Sequence, residues 1–142
     1  MHDIGIDLGT TNVLIYVNKK GIVLNEPSII AKDKKHNKVI AIGNKAKEML
    51  GKTPENVEII RPMKDGVIAD FDTTEILLKE FLKKSVSKRL VVKPNILICC
   101  PSSITSVEKN ALIEITEKLG AKKVYVEEVC NCRYGLSCGT VH

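Results

Sequence analysis

The chain has 142 residues, room for one domain or one domain with a small insertion. Apolar residues make up 44% and charged residues 27%, which excludes a mainly disordered chain. The net charge is only +5, aromatics are 4% and Trp is absent, so the basic stripe and stacking platforms of a nucleic-acid reader are missing and no nucleic-acid partner is expected.

No apolar run approaches the ~18–20 residues of a membrane span. Met1-His2-Asp3 leads straight into Ile4-Gly5-Ile6-Asp7 without a basic leader or a long apolar stretch. A cytosolic, soluble chain is therefore expected. Five cysteines in such a chain read as thiols rather than a disulfide framework.

In chain order, Ile4–Leu8 predicts a buried strand. Val13–Val17 is nearly continuous in apolar residues, which predicts a strand covered on both faces. Asn18–Gly21 is a turn signal before Ile22-Val23-Leu24, and Ser28–Ala31 is a further short run. Lys32–Lys38 reads as a polar turn, Val39–Ile42 as a strand, and Asn44–Leu50 as a short helix stopped by Gly51. Pro54, Pro62 and Gly66 make 52–70 a loop with short extended pieces.

Two longer helices follow. Asp72, with Glu75 three residues on, has capping-box spacing, and Ile76, Leu77, Phe81 and Leu82 share one face. Thr105 and Glu108 repeat the spacing, with Val107, Ala111, Leu112, Ile115 and Leu119 on the apolar face and Gly120 as the stop. Asn95–Cys99 between them and Lys123–Val126 after them read as strands. Strand meander, insertion, helix, strand, helix, strand is an α/β order whose later strands run parallel.

Asp7-Leu8-Gly9-Thr10-Thr11-Asn12 lies between two predicted strands. Gly9 permits close backbone approach, and the hydroxyls of Thr10 and Thr11, the amide of Asn12 and nearby N–H groups can surround phosphate oxygens. Asp7 is placed to hold a hydrated Mg²⁺, which keeps several waters and takes one or two carboxylates beside substrate phosphates. The same residues also suit an ordinary β-turn. Ala46–Thr53 nearly spells a P-loop, but its helical pattern precedes Gly51, the reverse of the strand–loop–helix order that phosphate binding needs.

Taken together, Gly5–Asn12, Gly21–Ser28, Ala46–Pro54, Arg61–Phe71 and Cys100-Pro101-Ser102 resemble the MreB family of bacterial actin-like proteins, which shape rod-like cells. The first motif is shared with DnaK-type chaperones and sugar kinases, whereas Gly21–Ser28 and Arg61–Phe71 are much more specific to MreB-like proteins. The resemblance implies an actin-like ATPase fold. Its first half is a ribonuclease-H-like core subdomain, here 1–31 and 67–128, with a small inserted α+β subdomain over 32–66. It further implies ATP with Mg²⁺ in a cleft between two halves, with phosphate contacts at Thr10, Thr11, Asn12 and Val13, metal near Asp7, and Glu128 orienting the attacking water. Self-association into filaments on the inner face of the cytoplasmic membrane, beside the cell-wall synthesis machinery, is implied as well.

Leu90-Val91-Val92, beside Lys88 and Arg89, matches the hydrophobic loop that other members insert into the membrane, and suits an anionic bilayer. The trio could equally begin the strand at Asn95. The family is well over twice this length and continues after its Glu-Glu pair with Pro and an alanine-rich helix. Residues 129–142 diverge from that pattern. Cys130, Cys132, Cys138 and His142 offer four zinc-type ligands at a tight spacing. The simpler expectation is a shifted reading frame, since codons for Cys130 through Leu136 read one base later can give an alanine-rich run like that of the family. Half a cleft is expected to bind nucleotide weakly and to expose an aggregation-prone face. The alternatives are a non-functional gene fragment or a chaperone- or sugar-kinase-type ATPase of the same fold.

Overall fold

A computed structural model describes residues 3–52, 55–64, 67–86, 93–101 and 104–129. The chain opens as a meander of β1 (Ile4–Leu8), β2 (Asn12–Val17) and β3 (Gly21–Pro27). It then forms β4 (Ile30–Asp33), β5 (Lys38–Ile42), α1 (Asn44–Glu48) and β6 (Val57–Ile60), followed by the short pair β7 (Met63–Lys64) and β8 (Val67–Ile68). Helix α2 (Phe71–Ser85), β9 (Asn95–Pro101), α3 (Ser106–Lys118) and β10 (Lys123–Val129) complete it.

The main sheet has five strands in the order β10-β9-β1-β2-β3. Strand β1 pairs antiparallel with β2 and parallel with β9, and β9 pairs parallel with β10. Period-two alternation sends Ile4, Ile6 and Leu8 to the face that α2 and α3 cover. There they join Val13, Ile15, Ile96, Ile98, Leu77, Phe81 and Leu112 in one core cluster. The opposite face carries Gly5 and Asp7 beside Tyr16 and Leu14. Strand β2 is accordingly covered on one face rather than two: Val13 and Ile15 are fully buried, whereas Tyr16 is 49% exposed. Its apolar run hid the alternation because Tyr16 is a tolerable surface residue.

Strands β5-β4-β6 form a separate sheet. It begins at Ile30, upstream of the polar turn, and packs with α1 on a satellite core of Ile29, Ala31 and Ala46. Alternation at β4 turns Ile30 into the main core and Ala31 into the satellite one, so the strand joins the two clusters. The turn after β4 is closed by Asp33, which accepts from the Lys35 N–H at 2.9 Å and lies 2.8 Å from His36 Nδ1.

Helix α2 starts two residues earlier than the Asp72 spacing predicts. Asp70 is its cap and accepts from the Thr73 N–H at 3.3 Å. Thr105 does cap α3, accepting from the Glu108 N–H at 3.2 Å. Val107, however, is 79% exposed rather than part of the apolar face, and the buried residues of α3 are Leu112 and Thr116, further along the helix. Met49 and Gly51 lie beyond the end of α1, so a helix precedes Gly51 and the P-loop-like run has no helix N-terminus to offer a phosphate.

One buried carboxylate joins the two sheets. Glu26, at the end of β3, accepts from the Asn44 N–H at 3.0 Å and from Lys84 Nζ at 2.9 Å. It thereby caps α1, whose own N-cap residue, Gly43, has no side chain to do so. Gly43 has φ +60 and ψ −128, a conformation reserved for glycine, and a Cβ there would collide with Glu26 Oε1 and Phe81. Glu26→Ala is expected to cost about 1–3 kcal/mol by orphaning the Asn44 N–H. Gly43→Ala is expected to cost a similar amount through strain and collision, roughly 1–3 kcal/mol. Since the two share an atom, the double variant should recover at least about 0.5 kcal/mol of the summed loss. Urea denaturation of the four proteins checks this, and strict additivity contradicts the shared contact.

Candidate functional site

The hairpin between β1 and β2 joins the central strand to its antiparallel neighbour. Leu8 pairs with Val13, leaving Gly9–Asn12 as the bend, which the Gly9 N–H closes by donating to the Asn12 carbonyl at 3.1 Å. A Cβ on Gly9 would sit 2.5 Å from that carbonyl oxygen. Glycine is required here for close approach, not for a left-handed φ.

Ser28 fixes the bend from outside. It is fully buried, its hydroxyl donates to the Gly9 carbonyl at 2.8 Å and its N–H donates to the Thr11 carbonyl at 2.9 Å. With both carbonyls turned inward onto Ser28, the exposed Thr10 and Thr11 stand at the outer rim. Asn12 donates its side-chain N–H to Asn25 Oδ1 at 2.8 Å, so that donor is spent on β3 rather than aimed outward. Val13 is fully buried, which leaves only its backbone to meet a ligand. Ser28 and Asn25 lay inside a recognisable run, but their partners are 19 and 13 residues away respectively, beyond the reach of a local pattern.

The bend lies at the carboxyl ends of β1, β9 and β10, where the sheet changes from parallel to antiparallel pairing. Open α/β sheets bind ligands at such ends. Across this edge Asp7 aligns with Cys99, and Cys99 with Glu127. These three share one row on the face away from the helices. Glu128 aligns with Cys100, one residue further along, so the pleat directs it to the other side. Both glutamates are exposed, and of the two it is Glu127 that shares the Asp7 row.

The electrostatics follow from this placement. Asp7 is exposed by surface area, yet its carboxyl lies low enough against the sheet for partial burial to raise its pKa. Burial raises the Cys99 thiol, helped by the negative charges of Asp7 and Glu127. Burial pushes Cys100 up to about 12, with smaller contributions from Cys99 and Glu128 opposed by Lys109. Both thiols are thus poor nucleophiles at neutral pH.

Among the described residues no three His, Cys, Asp or Glu side chains cluster as a metal centre. A Mg²⁺ at this edge would take Asp7 as its carboxylate and most other ligands from phosphate and water, which is how that ion is ordinarily held. A cation there would also relieve the cost of ionising Asp7. The expected membrane trio Leu90-Val91-Val92 and the tail ligands Cys130, Cys132, Cys138 and His142 lie outside the described residues. Among the described residues no helix is long and apolar enough to cross a membrane.

A five-stranded mixed sheet with an antiparallel meander, both helices on one face and a turn at the carboxyl edge is the architecture of an actin-like half. Solved structures agree. MreB5 of Spiroplasma citri bound to AMPPNP superposes with TM-score 0.77 at 40% identity, covering 88% of this chain and 38% of that one. A MamK double helical filament superposes with TM-score 0.69 at 18% identity, a likeness of fold alone.

The family model for MreB/Mbl protein matches residues 1–132, and the chain belongs to that family. It is 60% identical over 126 residues to the cell shape-determining protein Mbl of Bacillus subtilis, covering 89% of this chain. It is 48% identical over 132 residues to the cell shape-determining protein MreB of Escherichia coli. The chain spans 38% of the length of each of these two relatives. The chaperone-type and sugar-kinase-type alternatives are thereby set aside.

Two outcomes are expected at this site. Gly9→Ala should open the bend and lower the melting temperature, because the Cβ must displace the Asn12 carbonyl. An unchanged melt and unchanged amide shifts at Thr10–Asn12 would contradict it. For Asp7 the folded chain holds a proton at pH values where the unfolded chain has lost it. The Asp7 contribution is therefore fully present below the unfolded pKa, near 3.8, and is lost as pH rises through the raised folded value. Asp7→Asn should remove that loss and leave the chain as stable or more stable at pH 7.5, as is common for residues kept for a site. Thermal melts from pH 4 to 7.5 check this, and a variant less stable at pH 7.5 contradicts it.

Proposed function

We propose that this chain forms the phosphate-gripping half of an actin-like nucleotide clamp, and that it belongs to filaments that govern cell shape at the cytoplasmic membrane. The observation that carries the reading is the bend itself. Ser28 pulls the Gly9 and Thr11 carbonyls inward, which leaves Thr10 and Thr11 at the outer rim of the carboxyl sheet edge beside Asp7. Hydroxyl and N–H donors next to a single carboxylate suit a phosphate chain carrying Mg²⁺. The related MreB5 of Spiroplasma citri has been crystallised with AMPPNP and with ADP, which supports ATP as the ligand class.

In this reading Thr10, Thr11 and the backbone around Asn12 and Val13 bind the terminal phosphates, and Asp7 orients a hydrated Mg²⁺. Glu128, from the end of β10, positions the attacking water. Glu127 shares the Asp7 row and is the second carboxylate placed for that part. The ion supplies charge neutralisation of the phosphates when bound, while the bend contributes fixed donors that need no reorganisation. Self-association is supported by the filament-forming MamK neighbour, and membrane attachment by the Leu90-Val91-Val92 resemblance.

One wall of such a clamp by itself holds nucleotide weakly. Titrating residues 1–142 with AMPPNP and Mg²⁺ should give dissociation constants of roughly millimolar order, because a single wall supplies only part of a clamp's contacts. Amide shifts should concentrate on Gly9–Val13 and vanish in Asp7→Ala. Micromolar ATP binding by calorimetry would contradict the half-clamp, and shifts away from the bend would contradict the site.

A further inference from the structure

At the opposite end of the main sheet lies a groove of about 750 Å³. Its floor is apolar: Ile4 and Ile96 from the amino ends of β1 and β9, Leu82 from α2, and Ala121 after α3, each at most 9% exposed. Its rim is cationic. Lys79 and Lys83 stand one helical turn apart on α2, Lys118 ends α3, and Lys93 precedes β9. Among the described residues that line it there is no carboxylate. Lys83 and Lys118 touch Glu80 and Glu114 at 3.8 and 3.4 Å, but these are exposed pairs of little worth and easily exchanged.

We infer that this groove docks an acidic segment of another protein, with apolar anchors on the floor between α2 and α3 and carboxylates meeting Lys79, Lys83, Lys93 and Lys118. Charge complementarity selects the occupant. Four ammonium groups around this apolar trough repel a basic segment, offer a neutral one nothing, and steer an acidic one into place. Concavity argues against a bilayer as the occupant: a flat membrane surface reaches the lysines but not a floor walled by two helices. An amphipathic segment reaches both. The site lies at the far end of the strands from the phosphate-binding bend, so it stands or falls separately from the nucleotide reading.

The test uses fluorescence anisotropy with a labelled amphipathic peptide of Glu and Leu at helical spacing, its Lys and Leu counterpart, and vesicles of phosphatidylglycerol. The acidic peptide should bind, weaken with salt, and lose about tenfold or more in affinity in Lys79→Glu/Lys83→Glu. Lys45→Glu/Lys47→Glu, on exposed α1, should leave it unchanged and so exclude attraction by net charge alone. Equal binding of both peptides, no binding, or equal loss in both double variants overturns the inference. So does binding only of vesicles, which would assign the lysines to a membrane. Binding that appears only after Leu90, Val91 and Val92 are changed to Ser would also overturn it, since the chain's own segment would then be the occupant.

Discussion

Everything in this molecule is arranged around β1, which is hydrogen-bonded on both sides but in opposite senses. Its antiparallel bond to β2 forces a tight hairpin, and its parallel bond to β9 forces a crossover through α2. The hairpin must therefore emerge at the same sheet edge as the carboxyl ends of β9 and β10. A turn with exposed donors, the carboxylate of Asp7 and the pair Glu127-Glu128 converge there because strand direction leaves them nowhere else to go. The amino ends of the parallel strands, with the last turns of α2 and α3, converge at the other edge for the same reason. Two chemically different surfaces thus arise from one mixed pairing.

Polar groups, rather than the apolar core, hold the pieces in register. Ser28 is buried without residual exposure and satisfies two carbonyls of the bend. Glu26 is nearly as buried and ties the last turn of α2 to the start of α1. Such groups are costly to bury unless fully bonded, so each admits a single local geometry. Apolar packing would tolerate several arrangements of the small sheet on the large one. The Glu26–Asn44 bond, with Gly43 pressed against it, tolerates one.

The site was legible in part. Gly9 between two strand patterns, followed by Thr10 and Thr11, marked the bend, and the reversed order around Gly51 ruled out the competing P-loop-like run. Local spacing could not reveal that Asn12 is engaged by Asn25, or that Glu127 and not Glu128 shares the Asp7 row. The first depends on a bond between neighbouring strands. The second depends on the register of β10 against β9, which a one-residue slip would invert. The Asp72 spacing misled because Asp70 offers the same chemistry two residues earlier, where Thr74 Oγ1 adds a bond to the Asp70 carbonyl at 2.7 Å.

The sequence by itself determined the elements and their order, since apolar periodicity, turn residues and caps act over a few residues. It also carried the family likeness, through runs such as Gly21–Ser28 and Arg61–Phe71. Only the tertiary structure decided which face of β2 meets solvent, which residues brace the bend, and that lysines from α2, from the approach to β9 and from the end of α3 surround one apolar groove. Those are properties of pairing register and helix placement. They are fixed by contacts between residues tens of positions apart, which no local pattern encodes.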